Sequence, residues 1–414
     1  MAGDPTREAA YALLSAVLDH GRKMEDALNQ LPPMQPRDRA AGHRLAAAVL
    51  RRAGTLDAVL EPLLRRAPPE PVRHVLRIGA AGLLLLGSAP HAAVGTAVDL
   101  ARANGLAPFA GLVNAVLRKV AAGGVAVLEE LDSPRLDTPA WLWTSWGANA
   151  RVIAEAHQHE APLDLTLGPD TAPPEDAECL PTGSVRYPPG TAVAAIPGFA
   201  EGKLWVQDAA AALPVRLLAP REGERIADLC AAPGGKTAQL AAAGARVTAV
   251  ERDSARLARL VENLTRWHLD AELVKADAAV WTPGEPFDAV LLDAPCTATG
   301  TIRRHPDIPH LKRPRDGLTL IETQDKLLAA AARMLKPGGR LVYAVCSLQP
   351  EEGAGRVSGA NLARIGLRHD PFRPEELTGL PQAITPEGYL RTHPGMWRER
   401  GGMDGFFAAR LLRL

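Results

Sequence analysis

The sequence predicts two folded parts in series: an all-helical amino-terminal domain, then an α/β domain built on a doubly wound, mainly parallel sheet. Two textures carry this reading. From Thr6 to about Leu128 the chain is rich in Ala, Leu and Arg, with apolar residues at helical spacing. From about Ile226, short β-rich runs alternate with helical stretches. With 414 residues, 47% of them hydrophobic, the chain has ample material for more than one core.

In the first part, Tyr11, Leu14 and Leu18, then Leu45 and Val49, mark helix faces. Breaks at Leu31-Pro32-Pro33, Pro68-Pro69 and Ala89-Pro90 fall between the periodic segments, where proline ends one helix or starts the next. At least five helices are expected, over residues 1–130. Residues 131–205, with Trp141, Trp143, Trp146 and several Pro and Gly, read as a small α+β connecting subdomain whose tryptophans pack the two domains together. Residues 206–414 form the α/β domain, with strands expected at Arg225 to Leu229, Arg246 to Val250, Ala271 to Lys275, Ala289 to Leu292 and Arg340 to Val345.

The first of these strands runs into Cys230-Ala231-Ala232-Pro233-Gly234-Gly235-Lys236-Thr237 and then a helix. Glycines let a ligand lie against the backbone, and free N–H groups at a helix start can meet a carboxylate. The second strand ends at Glu251, 23 residues after Asp228, where doubly wound folds hold ribose hydroxyls. Asp277, after the third strand, is placed to accept from an adenine amino group. The loop is neither G-x-G-x-x-G nor a P-loop, so a nucleotide-like cofactor fits better than a dinucleotide or a triphosphate.

The fourth strand ends in Asp293-Ala294-Pro295-Cys296 and the fifth in Cys346-Ser347. Both ends open on the edge that carries the glycine loop, which brings two thiols and a carboxylate to one pocket. Spacing does not choose between Cys296 and Cys346 as the nucleophile.

These residues carry a resemblance. Through Val206-Gln207-Asp208, Cys230 to Thr237, Leu292 to Gly300, Arg303 to Asp307, Tyr343 to Ser347 and Asp404 to Phe407, the second half resembles the NOL/NOP/Sun family of RNA cytosine-5 methyltransferases. The first half is similar to the NusB-type RNA-binding domain of that family's bacterial Sun branch, which methylates 16S rRNA. The telling stretches are Pro90 to Val94 and Phe109 to Arg118.

The resemblance implies a Rossmann-like domain that uses S-adenosylmethionine, held by Cys230, Ala231, Ala232, Pro233, Gly234, Gly235, Lys236, Glu251, Asp277 and Asp293, with Asp293 also able to face the base. It makes Cys346 the nucleophile and Cys296 the cysteine that assists product release. A thiolate added to C6 of cytosine makes C5 reactive enough to take a methyl group, which is covalent catalysis. Action on tRNA, or a non-catalytic role in ribosome assembly, are the alternatives.

Lys plus Arg and Asp plus Glu both number 47, so no global positive charge advertises nucleic-acid binding. Local excess does: residues 1–120 carry 15 basic against 10 acidic residues, and Arg303, Arg304, Lys312, Arg313 and Arg315 cluster after Cys296 as candidate phosphate contacts. RNA, as small-subunit rRNA or an assembling ribosomal particle, is the expected partner. The longest apolar run, Ile78 to Gly87, is too short to span a bilayer, and four cysteines about fifty or more residues apart suggest neither a metal site nor disulfides. A cytoplasmic monomer without metal is expected.

Overall fold

The structure is a computed structural model and describes residues 4–414. Packing divides the chain into two units. One takes the residues up to His159 together with Ile302–Arg313, and the other takes Glu160–Thr301 and Pro314–Leu414.

The first unit is helical, with α1 (Pro5–Leu18), α2 (Met24–Leu28), α3 (Pro36–Arg51), α4 (Ala53–Leu60), α5 (Glu70–Leu84), α6 (Pro90–Ala103), α7 (Ala110–Gly123), α8 (Ser133–Leu136), α9 (Ala140–Trp146) and α10 (Ala150–His157). Asp4 caps α1 by accepting from the backbone of Thr6 and Arg7, and prolines open α1, α3 and α6, where a missing N–H costs nothing. Leu13, Leu14, Val49, Leu56, Leu76, Val113 and Leu117 form its core. No helix among the described residues is long and apolar enough to cross a membrane.

A separate connector over 131–205 is not found. Its helices bury Leu142, Trp146, Ile153 and Ala154 in the helical unit, whereas its strands group with the α/β unit. The tryptophans follow α9: Trp146 packs edge-on to His157, and Trp143 lies under the guanidinium groups of Arg135 and Arg151. Residues 302–313 make the second departure. There the Asp307 carboxylate accepts from the Met24 backbone N–H, His310 Nε2 lies 2.9 Å from the Leu50 carbonyl, and Arg51 donates to the Arg303 carbonyl.

The second unit begins with a small antiparallel sheet, β1 (Leu163–Leu167), β2 (Glu178–Cys179), β3 (Val185–Tyr187) and β4 (Leu204–Val206), in the order β2-β3-β1-β4. Helix α11 (Ala209–Leu218) leads to the main sheet, whose strands are β5 (Arg225–Leu229), β6 (Arg246–Glu251), β7 (Glu272–Lys275), β8 (Phe287–Asp293), β9 (Leu335–Val345), β10 (Leu367–His369), β11 (Leu390–Arg391) and β12 (Phe407–Arg413). The order is β10-β12-β9-β8-β5-β6-β7, with β11 on β12, and β7 through β9 run parallel. The chain winds outward from β5 through β6 to β7 and then returns to β8 and β9, so the crevice that receives ligands opens where β5 meets β8. Helices α12 (Gly235–Ala242) and α13 (Ser254–Trp267) follow β5 and β6. The five expected parallel strands are present, β5 with the expected bounds, β7 one residue shorter and β6, β8 and β9 longer, and the antiparallel edge formed by β10, β11 and β12 joins them.

One buried ion pair ties the small sheet to α11. Asp164 on β1 receives two hydrogen bonds from Arg186 on β3, at 2.6 and 2.7 Å, and a third from the Ala209 backbone N–H. Both side chains are almost fully buried, so removing one strands the charge of the other. Asp164→Ala should therefore lower unfolding free energy by roughly 3–5 kcal/mol, measured by urea denaturation; a loss below about 1 kcal/mol, the range of a surface pair, would show the pair to be dispensable.

Candidate active site

The turn after β5 is shaped by backbone constraint. Cys230 has φ of 63° and Gly234 has φ of 107°, and a Cβ at Gly234 would come within 2.4 Å of Leu260 Cδ1. Only glycine meets both demands at 234. The loop from Cys230 to Gly234 thus delivers the start of α12, with its free N–H groups, to the crevice.

Asp228 on β5 is fully buried and accepts from Thr237 Oγ1 at 2.6 Å, while its Oδ1 has no protein donor. Burial, reinforced by Asp293 and Glu251 and opposed by Thr237 and Lys236, pushes its pKa up to about 7. Burial likewise pushes the Cys230 thiol up to about 12, with Glu251, Asp293 and Asp228 adding to it. Glu251 ends β6, is 2% exposed, and accepts from the Asp253 backbone N–H. Its Oε2 sits 3.3 Å from Arg256 Nη1 as an ion pair but accepts no hydrogen bond. A carboxylate oxygen left open at this strand end fits the hydroxyls of a ribose. Asp277 lies beyond β7, exposed, accepting from the Ala279 backbone N–H.

Asp293, at the end of β8, receives a 2.8 Å hydrogen bond from Lys236 Nζ. Burial opposes the Lys236 charge, but Asp293 outweighs it and raises the lysine pKa, with Cys346 and Asp228 acting in the same direction. The ammonium also lies 5.2 Å from the centre of the Phe406 ring.

The two cysteines meet: Cys296 Sγ is 3.4 Å from Cys346 Sγ. The hydrogen bond with Cys346 and then burial hold the Cys296 thiol well above its ordinary range. Either thiol can donate to the other in this pair, and the shift keeps Cys296 protonated.

What brings the two loops together is a buried carboxylate that sequence reasoning missed. Glu352, 1% exposed, accepts from the Thr297 backbone N–H (2.9 Å), the Thr297 hydroxyl, the Ser347 hydroxyl and Gln324 Nε2 (3.1 Å). Gln324 Nε2 also donates to the Pro295 carbonyl at 3.0 Å, and Thr299 Oγ1 accepts from the Leu348 backbone N–H. Gly300 completes the clamp: its N–H donates to the Cys346 carbonyl and its carbonyl accepts from Gly405, leaving 1.9 Å between the Gly405 oxygen and any Cβ placed at 300. A hydroxyl residue directly after each cysteine, Thr297 and Ser347, was the available signal, but Glu352 reads in sequence as one of a surface Glu pair.

The basic run after Cys296 fares differently. Arg303 is 2% exposed, which removes it as a phosphate contact. Its segment folds with the helical unit, and its carbonyl serves Arg51. Arg304, Arg313 and Arg315 are exposed and Lys312 is half-buried.

Comparison with known proteins agrees with this geometry. Residues 215–412 match the family model described as 16S rRNA methyltransferase RsmB/F, and residues 4–122 match the NusB family. Ribosomal RNA small subunit methyltransferase B of Klebsiella pneumoniae is 36% identical across 98% of both chains. The chain belongs to the RsmB/F methyltransferase family. Its Xylella fastidiosa relative of the same name is 37% identical, covering 99% of this chain and 98% of its own. The crystal structure of PH0851 shares the fold, with a TM-score of 0.73 and 22% identity over 99% of both chains. A methyltransferase homolog protein from Pyrococcus horikoshii has a TM-score of 0.54 and 26% identity, over 69% of this chain and 96% of its own. The methyl donor of this methyltransferase is S-adenosylmethionine. The expected family, fold class and cofactor are thereby borne out.

Two expectations follow from the site. Replacing Glu352 by Ala strands the Thr297, Ser347 and Gln324 donors; methyl transfer should fall at least about tenfold while S-adenosylmethionine affinity, measured by calorimetry, stays near wild type. Wild-type turnover would deny Glu352 its role. Separately, between pH 3.8, the ordinary Asp value, and about 7, native Asp228 keeps a proton that the unfolded chain has lost. Unfolding free energy of the ligand-free protein should accordingly fall as pH rises through that window and level off above it. Asp228→Asn, which cannot ionise, should lose that fall in denaturation curves taken across the range; an unchanged fall would assign it to other groups.

Proposed function

We propose that this chain methylates carbon 5 of a cytosine in small-subunit ribosomal RNA through a covalent bond between Cys346 and cytosine C6. The observation that carries the reading is the thiol pair, Cys296 Sγ within 3.4 Å of Cys346 Sγ, in the same crevice as the Lys236–Asp293 pair. The names of the relatives support rRNA as the substrate class.

The Cys230–Lys236 loop and Glu251 would hold S-adenosylmethionine, which would supply an electrophilic methyl carbon whose bond to sulfur breaks as a neutral thioether leaves. The chain's own residues do the rest. The Cys346 thiolate adds to C6, the π electrons move to C5, and C5 becomes nucleophilic enough to accept the methyl group. Once a base has taken the C5 proton, its electrons restore the double bond and the C6–S bond breaks. The Cys296 S–H then donates to the departing Cys346 thiolate, which stabilises the leaving group. Lys236 donates to Asp293 at 2.8 Å and so positions that carboxylate at the end of β8, where the base would enter. Arg304, Lys312, Arg313 and Arg315 are proposed to neutralise RNA phosphates.

Purified protein with labelled S-adenosylmethionine and unmodified small-subunit rRNA should place label on cytosine C5; no transfer to any RNA would overturn the reading. Cys346→Ala should abolish denaturant-resistant protein–RNA adduct on gels, whereas Cys296→Ala should accumulate it. Adduct from Cys346→Ala would reverse the two roles.

A further inference from the structure

Among the described residues, Arg391 forms an ion pair with no acid. Arg186, Arg340 and Arg410, each half-buried or more in the same unit, are matched to Asp164, Glu224, and Asp370 with Glu376. Arg391 instead donates once, from Nη1 to the Ser347 carbonyl at 2.7 Å, and lies over the Phe407 ring at 5.5 Å. Burial alone, with no opposing carboxylate, draws its pKa down to about 10, so it remains fully charged at neutral pH. The side chain is half-buried, and no carboxylate among the described residues offsets its charge.

Its position in the sheet is specific. Arg391 on β11 pairs with Phe407 on β12, and Phe407 pairs with Val345 on β9, the residue before Cys346. Register therefore puts Arg391 on the row that ends at Val345, one residue before the nucleophile, and its bond to the Ser347 carbonyl holds it against the residue that follows Cys346. Its other donors are not sealed inside protein. His393, two residues on, has its pKa lowered by burial and by the Arg391 charge, so it stays uncharged beside Arg391.

Resting on the RNA reading above, we propose that Arg391 is a substrate-binding residue that pairs with a backbone phosphodiester flanking the target cytosine. A guanidinium offers a rigid fork to two phosphate oxygens, and the missing counter-ion arrives with the RNA. Pinning the phosphate beside Cys346 fixes the sugar and thereby the approach of C6 to sulfur.

The test uses the full chain, labelled S-adenosylmethionine and a small-subunit rRNA fragment that the wild type methylates. Arg391→Gln keeps a donor for the Ser347 carbonyl but loses the charge. KM for RNA should rise about tenfold or more, the slope of log KM against log salt should fall by roughly 0.7, and S-adenosylmethionine affinity should not move. Arg391→Lys should keep the wild-type salt slope. An unchanged KM and slope in Arg391→Gln, or a loss confined to kcat at saturating RNA, would overturn the proposal and leave Arg391 a support for the Cys346 loop. Should Arg391→Gln fail to bind S-adenosylmethionine, the wild type decides: RNA with an uncharged methylphosphonate at either linkage flanking the target should show the same rise in KM, and no effect at either linkage would refute phosphate pairing. Failure of the wild type to methylate any RNA would instead refute the functional reading itself.

Discussion

The site depends on one buried carboxylate. Glu352 collects donors from the Cys296 loop, from the residue after Cys346 and from the helix that carries Gln324. A buried charge is tolerable only when its lone pairs are filled, and here several donors fill them. The same requirement makes the arrangement unforgiving, because any shift of either loop would leave part of that carboxylate bare. Two strand ends that might have moved separately are thereby held with their sulfurs 3.4 Å apart.

Around that clamp the sheet supplies direction. Parallel register from β9 to β8 and on to β5 sends the Cys346, Asp293 and Cys230 ends to one edge, and the return of the chain at β5 and β8 opens the crevice there. Glycines settle the close approaches: Gly234 frees the turn in front of α12, and Gly300 lets the Cys296 loop cross the Gly405 backbone. Lys236 answers the carboxylates of this crevice, bonded to Asp293 and with its pKa raised by Asp293, Cys346 and Asp228.

Much of this could be read in advance. The cofactor loop, Glu251 and the two cysteines each follow a β-rich run, and that pattern is local enough to survive folding unchanged. What escaped were features set by distant partners. Glu352 looks like a surface acid until Thr297, Ser347 and Gln324 surround it. Arg303 belongs to a basic run, yet its segment leaves the α/β unit and is buried with the helices through Asp307 and His310. The tryptophans of α9 were expected to cement two domains, but Trp146 satisfies its packing on His157 within one. Strands β10, β11 and β12 contain none of the β-branched residues found in every parallel strand and gain their structure from pairing along an existing edge.

The division of labour between two touching sulfurs is the central claim, and mass spectrometry can read it in the unmutated protein. RNA carrying 5-fluorocytosine at the target blocks loss of the C5 substituent, so the covalent intermediate persists through proteolysis. The nucleotide mass should appear on the peptide containing Cys346 and be absent from the peptide containing Cys296. Nucleotide on the Cys296 peptide, with Cys346 unmodified, would contradict the account.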